Sequence, residues 1–88
     1  MISEMDRTFR AFLRQLPEDV QHQANAAYRL FRQDPFHPSL QFKRIDPSDP
    51  SVWSVRIGKN YRAIGIRERE TILWVWIGSH AEYDKRTK

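Results

Sequence analysis

The stretch Ser54–Ile66, "SVRIGKNYRAIGI", constrains this chain more than any other. Apolar residues fall on alternate positions on both sides of a Gly-Lys-Asn break, the pattern of a half-buried β-hairpin. Side chains alternate between the faces of a strand, so Trp53, Val55 and Ile57 share one face and Ser54 and Arg56 take the other. A three-residue loop, Gly58–Asn60, sets Ile57 against Tyr61, Val55 against Ala63 and Arg56 against Arg62. Its last position requires a left-handed residue, which Asn60 tolerates. A loop of two or four residues would put Arg62 opposite Val55 or Ile57 and mix charge into the apolar face, so the pattern selects three.

The neighbours of this hairpin follow from it. The next turn is made from "RERE", Arg67–Glu70, with a loop of two or four residues, and Thr71–Ile77 returns as a third strand. The predicted register sets Gly65 against Ile72, Ala63 against Trp74 and Tyr61 against Trp76, with small residues flanked by large ones. That assigns Trp53, Trp74 and Trp76 to the core rather than to base stacking. "SLQFKRI" makes an edge strand and "DPSDP" a loop. Upstream, Ser3 with Asp6 reads as a capping box for a helix over Glu4–Gln15, burying Met5, Phe9, Phe12, Leu13 and Leu16. Pro17 suits the first turn of a second helix. Val20, Ala24, Ala27, Tyr28 and Phe31 recur through it at helical spacing, and "DPFHP" ends it near Gln33. The expected fold is α+β: a two-helix N-terminal hairpin packed on one face of a three- to four-stranded antiparallel sheet.

The chain has 88 residues, so residues 1–88 are read as a single domain with one modest core. It has no cysteine, which excludes disulfides and thiolate metal sites. "MISEMDRTFR" carries acids and lacks an apolar run, so it does not read as a signal peptide. The longest apolar run, Ile72–Ile77, is far short of the roughly 20 residues a membrane span needs. The expectation is a soluble cytoplasmic protein with no membrane partner.

The net charge of +4 is unevenly placed. Residues 1–34 hold five Arg and five acids, whereas the rest holds ten Lys/Arg against six acids. The whole excess lies in the strand-forming half, which points to a phosphate-bearing partner or to ordinary solubility charge. Arg56 opposite Arg62 sharpens the first reading. Like charges facing across a hairpin are unfavourable unless an anion lies between them, and paired guanidiniums match phosphate. The alternative is a carboxylate from the tail that neutralises them. His80 leaves the last strand at the same end of the sheet. A histidine gives or accepts a proton near neutral pH, and beside phosphate binders that is equipment for phosphodiester cleavage. On its own His80 would read as a surface residue. Tyr83, one helical turn on, could stack on a base or steady a proton. His80, Glu82 and Asp84 lack the neighbouring ligands a metal site needs, so no metal and no cofactor is expected.

Helix, helix, then "SLQFKRI…WSVRIGKNYRAIGI…ILWVWIGSHAEYDK" resembles the RelE/ParE superfamily of bacterial toxins over nearly the whole chain from about Phe9. The resemblance implies a small antiparallel sheet packed on two helices and a cognate antitoxin as partner. RelE-type members are ribosome-dependent endoribonucleases (mRNA interferases) that cut mRNA in the A site. ParE-type members poison DNA gyrase and lack the ribonuclease residues. Arg62 in "NYRAI" matches a family arginine implicated at the scissile phosphate, and Arg56 falls where RelE-type proteins often hold a lysine. His80 falls where some members carry an arginine and others a histidine in a G-x-H motif. His37 in "PFHPSL" resembles a histidine-proline pair of some histidine-using relatives. Tyr83 roughly matches a C-terminal aromatic, at a different spacing. The usual N-terminal strand is not expected, since "MISEMDRTFR" reads straight into helix. The implied catalytic set is therefore His80, Arg62, Arg56 and Tyr83, with Lys43, Arg44, Lys59 and His37 contacting RNA. The alternatives are a ParE-like gyrase poison or a catalytically inactive antitoxin-binding module, neither of which needs His80 for chemistry.

Overall fold

In the computed structural model, which describes residues 1–87, the hairpin lies inside a five-stranded sheet. The elements are β1 (Ile2–Met5), α1 (Arg7–Arg14), α2 (Glu18–Gln33), a 3₁₀ turn (Pro38–Leu40), β2 (Lys43–Arg44), β3 (Val52–Ile57), β4 (Tyr61–Glu68), β5 (Thr71–Ser79) and α3 (His80–Thr87). The sheet order is β1-β5-β4-β3-β2. Adjacent strands from β2 to β5 are antiparallel, whereas β1 runs parallel to β5. The class is the expected α+β with α1 and α2 against one face, but the sheet is wider than predicted and mixed.

The difference begins at the N-terminus. Residues expected to open a helix form β1, which pairs Ile2 with Thr71 and Met5 with Trp74. The cap is Asp6 alone, whose Oδ1 accepts from the Phe9 N–H at 2.7 Å, so α1 starts at Arg7 rather than Glu4. Ser3 serves the strand. Its Oγ accepts from Trp74 Nε1 at 2.8 Å and its carbonyl accepts from the Tyr28 hydroxyl at 2.9 Å. A four-residue strand is too short to show a period, and the open edge of β5 supplies the pairing that local sequence does not. Pro17 is the N-cap of α2 rather than its first helical residue, a shift of one position.

The β3–β4 hairpin has the predicted register: Ile57↔Tyr61, Val55↔Ala63 and Arg56↔Arg62. The left-handed loop residue is Gly58, at φ 59°, and not Asn60. The β4–β5 register departs from prediction. Of the two loop lengths allowed the shorter forms, Arg69–Glu70, since Glu68 pairs with Thr71, and this sets Gly65 against Trp74 rather than Ile72. A bulge then intervenes: Ile64 pairs with Trp76, so Val75 is extra and Ala63 meets Ile77. Beyond it the alternation of β5 is inverted. Ile77 joins the core under α1 and α2, and Trp76 turns to the opposite face, where the Arg86 guanidinium lies 4.8 Å from its ring centroid.

Trp74 and Ile72 remain on the helix face beside Phe9, Ala24, Phe31, Phe42, Val55 and Ala63. Phe31, 2% exposed, meets Phe42 and Trp74 edge-on at 4.9 and 5.4 Å. Trp53 is half-buried at the margin of this core. The "DPSDP" segment is a loop as predicted. Its aspartates accept from Ser48 and Ser51, and these hydrogen bonds hold both carboxyls below their ordinary values.

Candidate functional site

The face opposite α1 and α2 carries the site, and its centre is Arg62. β4 buries this arginine to 4% exposure. Its Nη2 donates to Ser54 Oγ at 3.1 Å and to the Gln41 carbonyl at 3.3 Å, and its Nη1 donates to Gln41 Oε1 at 3.3 Å. The Cζ lies 5.1 Å from the centroid of the Tyr83 ring. Nε is buried with no hydrogen-bond partner among the described residues. The ion pairs among the described residues are His22–Glu18 and His80–Asp84, so no carboxylate neutralises Arg62 or Arg56. A buried cation held only by neutral groups costs free energy unless an anion completes it.

Tyr83 comes from α3, whose start is fixed twice. Ser79 and Glu82 form a reciprocal capping box: Glu82 N–H donates to Ser79 Oγ at 3.2 Å and Ser79 N–H donates to Glu82 Oε1 at 3.3 Å. The His80 N–H donates to the Asn60 carbonyl at 2.7 Å, which ties α3 to the hairpin loop. Tyr83 is 8% exposed, with its hydroxyl 3.2 Å from Ser54 Oγ. It therefore supports Arg62 from beneath, and a base cannot reach its ring in this arrangement. Gly78 lies opposite Arg62, where a Cβ would collide with the Trp76 ring.

His80 is exposed at the first position of α3, as the sequence placed it, at the Arg62 end of the sheet. Its ring lies 5.9 Å from that of Tyr83, and its Nε2 lies 3.6 Å from Asp84 Oδ1. Tyr83 thus adjoins both His80 and Arg62. Arg56 is paired with Arg62 in the backbone, but its side chain turns away. Its Nε donates to the Gly58 carbonyl at 2.8 Å, and it borders a groove with Lys59, Ala26 and Leu30. The two guanidiniums therefore share a register position without sharing a hydrogen-bond partner.

The other predicted contacts divide. Residues directly opposite in an antiparallel pair share a face. Lys43 opposes Ser54 and so lies on the Arg62 face, whereas Arg44 opposes Trp53 and lies on the helix face. Both are exposed. Lys59 is exposed in the hairpin loop. His37 caps the 3₁₀ turn: its Nδ1 accepts from the Ser39 N–H at 3.2 Å. That turn delivers Gln41, at φ 46°, to Arg62, so His37 reaches the site only through Gln41. Gln41 itself carries no sequence signal, and Ser54 is legible only as a face assignment. Among the described residues no cluster of three His, Cys, Asp or Glu could hold a metal ion.

The fold matches solved toxin structures. The chain is 15% identical to a chain of the RelB–RelE antitoxin–toxin complex of Methanococcus jannaschii, covering 97% of this chain and 99% of that one at a TM-score of 0.75. It is 17% identical to a chain of the RelBE2 toxin–antitoxin complex of Mycobacterium tuberculosis, covering 90% and 96% at 0.70. Isolated E. coli RelE toxin gives 15% identity, 97% and 96% coverage and 0.65. No curated protein sequence matches significantly. The model of the ParE-like toxin domain matches residues 18–85, which span α2, the whole β2–β5 meander and most of α3. The chain belongs to the ParE-like toxin family, within the RelE/ParE superfamily.

Proposed function

We propose that this toxin is a ribosome-dependent endoribonuclease that cleaves mRNA with side chains alone and is held in check by a cognate antitoxin. The observation that carries the reading is Arg62: a buried guanidinium with, among the described residues, an unpartnered Nε and no carboxylate, and a histidine at the same end of the sheet. The RNA 2′-hydroxyl attacks the adjacent phosphorus, the P–O5′ bond breaks, and a 2′,3′-cyclic phosphate and a 5′-hydroxyl result. One proton leaves the 2′-oxygen and one reaches the 5′-oxygen. His80, exposed and backed by Asp84, carries one of these transfers. Arg62 stabilises charge on the phosphoryl oxygens, with Ser54, Gln41 and Tyr83 fixing its position. Lys43 takes a flanking phosphate on the same face, and Arg56 and Lys59 extend the positive rim at the hairpin loop. The antitoxin follows from the similar structures that are antitoxin–toxin complexes.

One observation favours a second reading, in which the chain binds a protein target such as DNA gyrase without chemistry: Arg62 and Tyr83 are only 4% and 8% exposed. The test is expression of the chain alone and with its neighbouring gene product, followed by translation-coupled mRNA cleavage and gyrase supercoiling assays. Growth arrest relieved by co-expression, with cleaved mRNA, supports the ribonuclease. Arrest with intact mRNA and inhibited supercoiling supports the second reading. No arrest at high expression contradicts both.

A further inference from the structure

We propose that Phe36, Trp53 and Arg67 form a second nucleic-acid contact, a platform on which one unpaired base stacks while Arg44 takes its flanking phosphate. It rests on the RNA reading above but uses none of the catalytic residues. Phe36 is 59% exposed and, with Ile2, is one of two large hydrophobics so open among the described residues. Its ring is held in place, 5.4 Å from Phe42 and 6.5 Å from Trp53, and Phe42 in turn lies 4.5 Å from Trp53. An exposed ring ordered in advance loses little freedom when a ligand stacks on it.

The cations are on the same face. The Arg67 Cζ lies 4.7 Å from the Trp53 ring centroid and 5.9 Å from that of Phe36, with its Nε donating to the Arg69 carbonyl at 3.2 Å. Arg44 stands opposite Trp53 in the β2–β3 register. No carboxylate pairs with Arg44 or Arg67 among the described residues; the nearest acid in sequence to Phe36 is Asp34. Open aromatic surface combined with unneutralised arginines is how single strands are gripped without sequence preference. The platform is also reachable from the candidate active site. Lys43 and Arg44 are consecutive on the edge strand and lie on opposite faces, so a strand held at Arg62 reaches Phe36 around that edge.

The test is fluorescence anisotropy with a short labelled single-stranded RNA, in the His80→Ala background to prevent cleavage, together with 4-thiouridine crosslinking. Phe36→Ala should weaken binding about 5- to 100-fold, the loss of one base stack, with the salt slope unchanged. Phe36→Trp should restore binding, whereas Arg44→Gln should lower the salt slope. Crosslinks should map to the peptide holding Phe36 or to Trp53. Unchanged affinity in Phe36→Ala, or crosslinks confined to the His80–Tyr83 segment, would overturn the platform and leave the ribonuclease reading intact. Phe36→Ala that binds RNA normally but loses the antitoxin would reassign the patch to a protein. A chain that binds no free RNA would overturn the platform, whereas the ribonuclease reading stands or falls by the translation-coupled cleavage assay.

Discussion

The guanidinium of Arg62 lies over the ring of Tyr83, with its Cζ 5.1 Å from the ring centroid, and this contact ties the central hairpin to α3. Ser54 completes the link by meeting both Arg62 Nη2 and the Tyr83 hydroxyl. The candidate site is thus a positioned, largely buried cation with neutral hydrogen-bond partners among the described residues.

On the proposed reading Arg62 serves a ligand rather than the stability of the fold. Arg62→Met keeps length and apolar contact while removing a buried charge that no carboxylate among the described residues compensates. Thermal unfolding should show a melting temperature equal to or above wild type, and RNA cleavage should be lost. A fall of more than about 4 °C would show that the arginine is structural.

Tyr83 supports Arg62 with its ring and Ser54 with its hydroxyl. Tyr83→Phe removes one neutral hydrogen bond and should cost about 1 kcal/mol in urea unfolding, with cleavage largely retained. Tyr83→Leu removes the ring beneath the guanidinium and should reduce cleavage far more than Tyr83→Phe does. Equal activity in both variants would mean that the stacking does not position Arg62.

Gly65 lies beside the bulge at Val75 and is closely packed. A Cβ there would lie 2.8 Å from both Ile72 Cγ1 and Trp74 Cε3, so both side chains or the strand must shift. Gly65→Ala should destabilise by about 1–3 kcal/mol, read as a lower urea midpoint at constant slope. An unchanged midpoint would contradict this packing.

The hairpin was legible in the sequence because only one loop length keeps Arg56 and Arg62 off the apolar face. The end of β5 was not. "WVWI" is apolar at every position, so alternation cannot say which residue is the bulge, and Trp76 exchanged faces with Ile77. β1 escaped for a related reason: four residues show no period, and its partner lies at the far end of the chain. Within the candidate site, residue type and register were enough to bring Arg62 and His80 to one end of the sheet. Gln41 was hidden because a left-handed residue after a 3₁₀ turn delivers it. Lys43 and Arg44, read as one basic pair, are divided between faces by the strand period.

The most direct test of the account is translation-coupled mRNA cleavage by His80→Ala in a purified system, with ribosome pulldown as the control. If His80 moves a proton, cleavage should fall about 10²–10⁴-fold, while ribosome binding holds because Arg62, Lys43 and Lys59 remain. Cleavage equal to wild type by His80→Ala would remove the histidine from the chemistry and contradict the proposed mechanism.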